Sequence, residues 1–384
     1  MSAATRASLA GVVGSVVLFG FTPRTQLLFY LVLALSIAVY LIVRGGSLAR
    51  SLALYLSSRT LAWRWAFVVW AVASLYWASR GSSLDRLITL LEIHAVGLVL
   101  YDAARELRAT KWILTVVFVA ASIGSAHALL TGIGSDVSRL QGMYRNPNLL
   151  AVTLVIGLAA FTAGADLGRG LLARWIAHGL GLVILAGIVA AASLKGVVGV
   201  VCVWGIGLLL WRTRRRIAAQ VIASGLLLAA TIPVASVFRS YLDRTIYRVA
   251  VTASAVSSQA GVSNSLVERL RFAAKGFDLI LDSPLLGSGL GSFSWLSGEG
   301  TYAHNNVIEL GVSLGVVGVM LYYVLHAVVL YRGIALRRGT LLGARFIMIF
   351  VPTLVVLDTA AVSYLMKLPT LLLIMCAGWV DARR

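Results

Sequence analysis

Apolar residues run along the chain in twelve stretches, roughly 8–22, 25–43, 61–78, 84–101, 112–131, 149–163, 176–191, 196–211, 217–235, 305–331, 341–360 and 364–379. Most approach the ~20 residues that an α-helix needs to cross a bilayer. Runs six to eight are shorter and rich in glycine. Arg6 followed by the first run has the look of a signal peptide, but no small-residue cleavage site follows. Thr22-Pro23-Arg24 leads straight into the second run, which predicts a helical hairpin.

The long interval at 236–304 has its own pattern. Phe238, Tyr241, Leu242 and Val249 fall at helical spacing, with Arg239, Asp243, Arg244 and Arg248 between them. This predicts a helix over 237–251 lying at a membrane surface. A second helix is expected over 265–282, opened by Ser265 and Glu268 as a capping box and closed by Ser283-Pro284. Gly287, Gly289 and Gly291 read as turn glycines, because the dinucleotide fingerprint needs a strand before it and a helix after it.

The expected fold is therefore an all-α integral membrane protein of about twelve transmembrane helices. Spans one to nine lie in 1–235, a long extracytoplasmic loop with two helices in 236–304, and spans ten to twelve in 305–384, forming one membrane domain overall. No internal repeat and no pair of broken helices of the transporter kind is legible.

Composition narrows the class. Hydrophobic residues make up 60% of the 384 positions and charged ones 12%, against about 25% charged in an ordinary soluble domain. A soluble enzyme and a disordered chain are both excluded. The two cysteines, Cys202 and Cys376, lie in apolar runs and form no metal or disulfide pattern.

The net charge of +19 would point to nucleic acid in a soluble protein. Here its distribution says otherwise. With both termini cytoplasmic, 19 of the 33 Lys and Arg residues fall in inside segments, six in the short outside loops and six in the long outside loop. That is the positive-inside pattern, and it predicts no nucleic-acid partner.

The outer face then collects the candidate chemistry. His304, in Tyr302-Ala303-His304-Asn305-Asn306, stands at the outer start of the tenth run. Its imidazole can act as a general base near neutral pH, or it can serve with Asn305 at a helix start. Arg145, Lys195, Arg269 and Arg271 are cations on the same predicted face. They suit a phosphate or diphosphate ligand, or anionic lipid headgroups. Residues 269 and 271 cannot share a helix face, so only one of them is expected to point into a site.

Charges inside the runs, Asp85, Arg86, Glu92, Glu309 and Asp358, should face the bundle interior. Arg86 either pairs with Asp358 or joins the anion site, and Glu309 is expected to give structural support. No outside carboxylate pair has metal-site spacing, so a metal-independent mechanism without a cofactor is expected.

Several of these segments occur in a familiar order. Arg269, then Pro284-Leu-Leu-Gly-Ser-Gly-Leu-Gly-Ser-Phe293, His304-Asn305 and Glu309-Leu-Gly-Val-Ser-Leu-Gly-Val-Val-Gly318 resemble the O-antigen ligase/polymerase family. Arg145-Asn-Pro-Asn148 is similar to that family's upstream segment. Ser193-Leu-Lys-Gly196 resembles its Ser-Arg-Gly turn, with Lys195 where Arg is usual.

The resemblance implies a GT-C-like membrane glycosyltransferase of the bacterial cell envelope. It would move a glycan from undecaprenyl diphosphate to a glycan or lipid A core acceptor at the outer face of the inner membrane, as in lipopolysaccharide or other surface polysaccharide biosynthesis. By the same resemblance, His304 is the base, Arg145 and Arg269 hold the diphosphate, and Lys195 assists as a point charge. The competing class is a polytopic transporter or flippase of a lipid-linked or anionic substrate.

Overall fold

The computed structural model describes residues 1–19, 26–45, 48–78, 83–105, 107–132, 139–144, 146–165, 167–168, 170–210, 217–219, 221–222, 264–336 and 342–383. Among them every regular element is helical. Eleven of the twelve apolar runs fall on helices. Most of the ninth run, 217–235, and the surface helix expected over 237–251 lie outside the described residues. Among the described residues, four helices are long and apolar enough to cross a membrane: Ser83–Arg105, Ala109–Gly132, Leu171–Ala190 and Asn306–Ala335.

The chain forms two compact units. The first comprises Met1–Val43, Leu107–Ser254 and Gly333–Thr353. It contains α1 (Ala3–Phe19), most of α2 (Gln26–Arg44), α6 (Leu107–Gly132), α7 (Pro147–Ala163), α8 (Leu171–Ala190) and α9 (Leu194–Leu209). α7 is its centre. Every residue from Leu150 to Ala163 is buried, as a helix that is apolar on all sides requires. Small residues let its neighbours approach closely: a Cβ on Gly157 would fall 2.4 Å from Ala121 Cβ on α6.

The second unit comprises Arg44–Glu106, Ala255–Arg332 and Leu354–Arg384. It contains α3 (Leu48–Leu56), α4 (Ala62–Ala73), α5 (Ser83–Arg105), α10 (Asn264–Asp282), α11 (Phe293–Leu296), most of α12 (Asn306–Ala335), the end of α13 (Leu342–Asp358) and α14 (Lys367–Asp381). α14 is buried from Leu368 to Val380 and packs along α5, where a Cβ on Gly378 would lie 2.5 Å from the Tyr101 carbonyl. The short helix α3 fills an interval that the hydrophobic pattern leaves blank. Ser51 fastens it to Asp102 of α5 at 2.7 Å, and Arg44 at the end of α2 pairs with the same carboxylate at 2.9 Å.

α12 is broken, which the apolar run at 305–331 does not disclose. Gly315 sits at φ 66° and ψ −173° inside it, which releases backbone groups on either side. The segment Pro284–Leu290 takes up several of them. The N–H groups of Ser288 and Gly289 donate to the carbonyls of Val312 and Ser313 at 2.8 Å, and Val316 N–H donates to Pro284 O at 2.9 Å. The Trp70 indole N–H of α4 donates to Leu314 O at 3.0 Å. Non-helical backbone at membrane depth is tolerated only when its polar groups are satisfied in this way.

The turn glycines meet this requirement. Gly287 has φ 68°, and a Cβ there would lie 2.5 Å from Gly315 N. The reading of 287–291 as turn chemistry holds, and the structure adds what the turn does.

Candidate functional site

His304 lies in the second unit, just ahead of α12. Asn305 caps that helix: its Oδ1 accepts from the N–H groups of Val307 and Ile308 at 2.9 and 3.1 Å. Its Nδ2 donates to Thr359 O at 3.1 Å. Asn305 therefore supplies the cap without His304. The histidine itself takes φ 56°, a left-handed conformation that non-glycine residues seldom adopt. Residues held this way cost about 1–3 kcal/mol and gather at functional sites.

Two aromatic rings hold the imidazole. Phe272 of α10 stacks on it, with centroids 5.9 Å apart and planes 9° from parallel. Tyr302 packs at 4.3 Å in a tilted arrangement. Glu309, one turn into α12 and wholly buried, fixes the approach: its Oε2 accepts from Ala303 N–H at 2.8 Å. Its Oε1 pairs with Arg86 of α5, and Arg86 also donates to the Tyr364 hydroxyl at 3.1 Å.

The pair proposed between Arg86 and Asp358 does not form. Arg86 is committed to Glu309, while Asp358 accepts from the Tyr323 hydroxyl at 2.9 Å. Residues 86 and 309 lie 223 positions apart, so only the packing of α5 against the start of α12 could disclose the true partner.

α10 runs over 264–282 close to the expected range. Arg269, Phe272 and Gly276 share one face of it by their spacing. Gly276 brings that face against α12, since a Cβ there would lie 2.2 Å from Ile308 Cγ2. Arg269 is thereby on the side of the helix that carries the His304 platform. Burial raises the Tyr302 phenol pKa above its ordinary value, and the Arg269 charge opposes the rise.

Arg271 is tied to a carboxylate, although its guanidinium also lies 5.7 Å from the Phe272 ring centroid. Its guanidinium bonds Glu299 at 2.6 Å and its side chain is 55% exposed. Lys275 bonds the same carboxylate at 2.5 Å. That hydrogen bond, with the Arg271 charge, holds the Glu299 carboxyl below its ordinary pKa.

The first unit carries the other motifs. Asn146 caps α7 by accepting from Asn148 N–H at 2.8 Å, and Pro147 occupies the first helical position. Asn148 then reaches the second motif, accepting from Ser193 Oγ at 2.8 Å and from Arg139 at 3.2 Å. Ser193 stands at the N-cap of α9; its carbonyl accepts from Gly196 and Val197 N–H, while its side chain bonds no helix N–H and its hydroxyl donates to Asn148.

Lys195 lies in the first turn of α9 and is 7% exposed. It is a helix residue, where the sequence suggested a turn. Ala192, just ahead of it, has φ 45°, the other non-glycine residue with positive φ among the described residues. Arg145 lies outside the described residues. Among the described residues no group of three His, Cys, Asp or Glu side chains gathers as a metal site.

Residues 179–323 match the family model described as O-antigen ligase. The ligase region contains Lys195, Arg269, Arg271, His304, Asn305 and Glu309, and it ends within α12 after the break at Gly315. No curated protein matches the chain.

Sequence reading missed three members of these clusters. Phe272 and Arg139 are not singled out there, and Tyr302 enters only as a neighbour of His304. Proximity of Tyr302 to His304 in sequence was the one available signal.

Proposed function

We propose that the protein transfers a glycan from undecaprenyl diphosphate to an acceptor hydroxyl at the outer face of the bacterial inner membrane, as an O-antigen ligase or polymerase does. The observation that carries this reading is His304, held in a left-handed backbone between Phe272 and Tyr302, inside the ligase-family region.

In this reaction His304 takes the proton of the acceptor hydroxyl. The acceptor oxygen bonds to the anomeric carbon as the bond from that carbon to the diphosphate oxygen breaks. Undecaprenyl diphosphate leaves with the bonding electrons. Direct attack inverts the anomeric configuration. Catalysis requires a positioned base and cations fixed where the leaving charge develops.

The cations assigned to the diphosphate are Arg269, Arg145 and Lys195. Arg269 is supported by its place on the Phe272 face of α10. Lys195 is supported by its buried place in the first turn of α9, two residues after Ser193, which bonds Asn148. The acceptor is a second glycan or a lipid A core. The rings of Tyr302 and Phe272 give a sugar an apolar surface.

A flippase would also use intramembrane charges and broken helices. Such carriers use unwound backbone to bind cargo, whereas here the groups freed at Gly315 bond the Pro284–Leu290 segment and Trp70. That observation favours the transferase.

The test is reconstitution. Purified protein in lipid, given an undecaprenyl-diphosphate-linked glycan and an acceptor with no added divalent metal, is expected to form a product whose new bond is inverted at the anomeric carbon by NMR. A product with retained configuration contradicts direct attack, and passage of the donor across the bilayer without transfer supports the flippase.

A further inference from the structure

α1 and α6 run side by side in the same direction. Near their first turns, the Trp112 indole N–H donates to Arg6 O at 2.9 Å. Further along, Tyr144 donates to Val17 O at 2.6 Å, and a Cβ on Gly124 would lie 3.0 Å from the same hydroxyl. Residue 6 is therefore level with 112, and residue 17 with 124.

Between the helices lies an open groove of about 770 Å³. Arg6, Ala10, Gly14 and Leu18 line it from α1, and Lys111 and Val119 from α6. The α1 residues recur every fourth position and so form one stripe. A Cβ on Gly14 would meet nothing within 4 Å, so the middle of the groove is unfilled by protein.

The two ends differ. Arg6 and Lys111, both exposed, stand at the end where Trp112 grips the α1 backbone. From there to Leu18 and Ile123 the lining is apolar apart from Thr115. Twelve helical residues span ~18 Å, a little over half of a ~30 Å hydrocarbon core. A slot one leaflet deep, with two cations and an indole at its mouth, complements an acyl chain under a phosphate headgroup.

We propose that this groove holds one anionic phospholipid, with its phosphate at Arg6 and Lys111 and an acyl chain passing over Gly14. On the charge pattern of the sequence, both cations face the cytoplasmic leaflet. The occupant is then a bilayer lipid distinct from the glycan donor, whose diphosphate is used on the other side. The proposal does not rest on glycan transfer.

Photo-crosslinking tests it. The full chain is placed in nanodiscs of phosphatidylcholine carrying trace phosphatidylglycerol with a mid-chain diazirine, and labelled peptides are identified by mass spectrometry. Labelling is expected in 10–18 and 119–123, competed by unlabelled phosphatidylglycerol. The double variant Arg6→Gln/Lys111→Gln should weaken it about tenfold or more, since both charges that attract an anionic headgroup are removed.

Gly14→Leu should displace the label while thermal unfolding stays unchanged. Equal labelling by a phosphatidylcholine probe, no labelling in these peptides, or indifference to Gly14→Leu overturns the site. Competition by undecaprenyl diphosphate stronger than by phosphatidylglycerol also overturns it and assigns the groove to the donor.

Discussion

At the scale of single residues, α10 separates two arginines that a sequence motif leaves together. Arg271 is exposed and paired with Glu299. Arg269 shares the helix face of Phe272 and acts on Tyr302. Arg269→Ala is expected to raise the Kd for a lipid-diphosphate donor by tenfold or more, about the 1.5–3 kcal/mol of a charged hydrogen bond. Arg271→Ala should change it by less than about twofold, as for an exposed ion pair. Donor titration of the two variants measures this, and the reverse order contradicts the placement of Arg269.

A second residue-scale prediction concerns Arg64 of α4. It is 2% exposed, lies 5.0 Å from the Phe67 ring centroid and 5.8 Å from that of Tyr322, and has no hydrogen-bond partner for any guanidinium nitrogen among the described residues. A buried charge without a hydrogen-bond partner is costly even over aromatic rings, and its replacement by an apolar side chain of similar size stabilises. Arg64→Met should raise the unfolding temperature, by about 1–4 kcal/mol of stability on the precedent of buried ion pairs replaced by apolar groups. A fall in thermal stability contradicts the reading of Arg64 as an uncompensated charge.

At the scale of elements, the break in α12 is the main addition to what the pattern shows. Gly287 and Gly298 have the same φ, 68°. A Cβ on Gly287 meets the Gly315 and Leu314 backbone at 2.5 Å, whereas one on Gly298 meets nothing within 4 Å. Gly298→Ala should cost about 1 kcal/mol from backbone conformation alone, and Gly287→Ala clearly more. Equal losses in thermal unfolding would show that Pro284–Leu290 does not support the break.

Much at this scale was legible. Runs that are apolar on every side gave the helices, and Ser283-Pro284 marked the end of α10 close to where it occurs. The break was not legible, because a glycine within an apolar run looks like any tolerated glycine. The groups that make Gly315 affordable come from residues 284–289 and from Trp70, and no local period records them. The short helix α3 escaped because its stability comes from Asp102, about fifty positions away.

At the scale of the whole molecule, the candidate residues fall in two sets. Asn148, Ser193 and Arg139 are bonded together in the first unit, beside Lys195. His304, Phe272, Tyr302, Glu309 and Arg86 are gathered in the second. Order along the chain and predicted side disclosed His304, Arg269, Lys195 and Glu309 as candidates. Ring platforms and ion-pair partners depend on contacts between distant helices, so Phe272, and the choice of Glu309 over Asp358 for Arg86, appear only in three dimensions.

The central claim is that one imidazole, held by the second unit, removes the acceptor proton. Its most direct measurement is single-turnover transfer by His304→Ala beside the wild type, with donor affinity measured on the same preparations. General-base loss is worth about 10²–10⁴ in rate. The expected result is a fall of that size in kcat, with donor Kd and unfolding temperature unchanged. Transfer at the wild-type rate by folded His304→Ala would contradict the account.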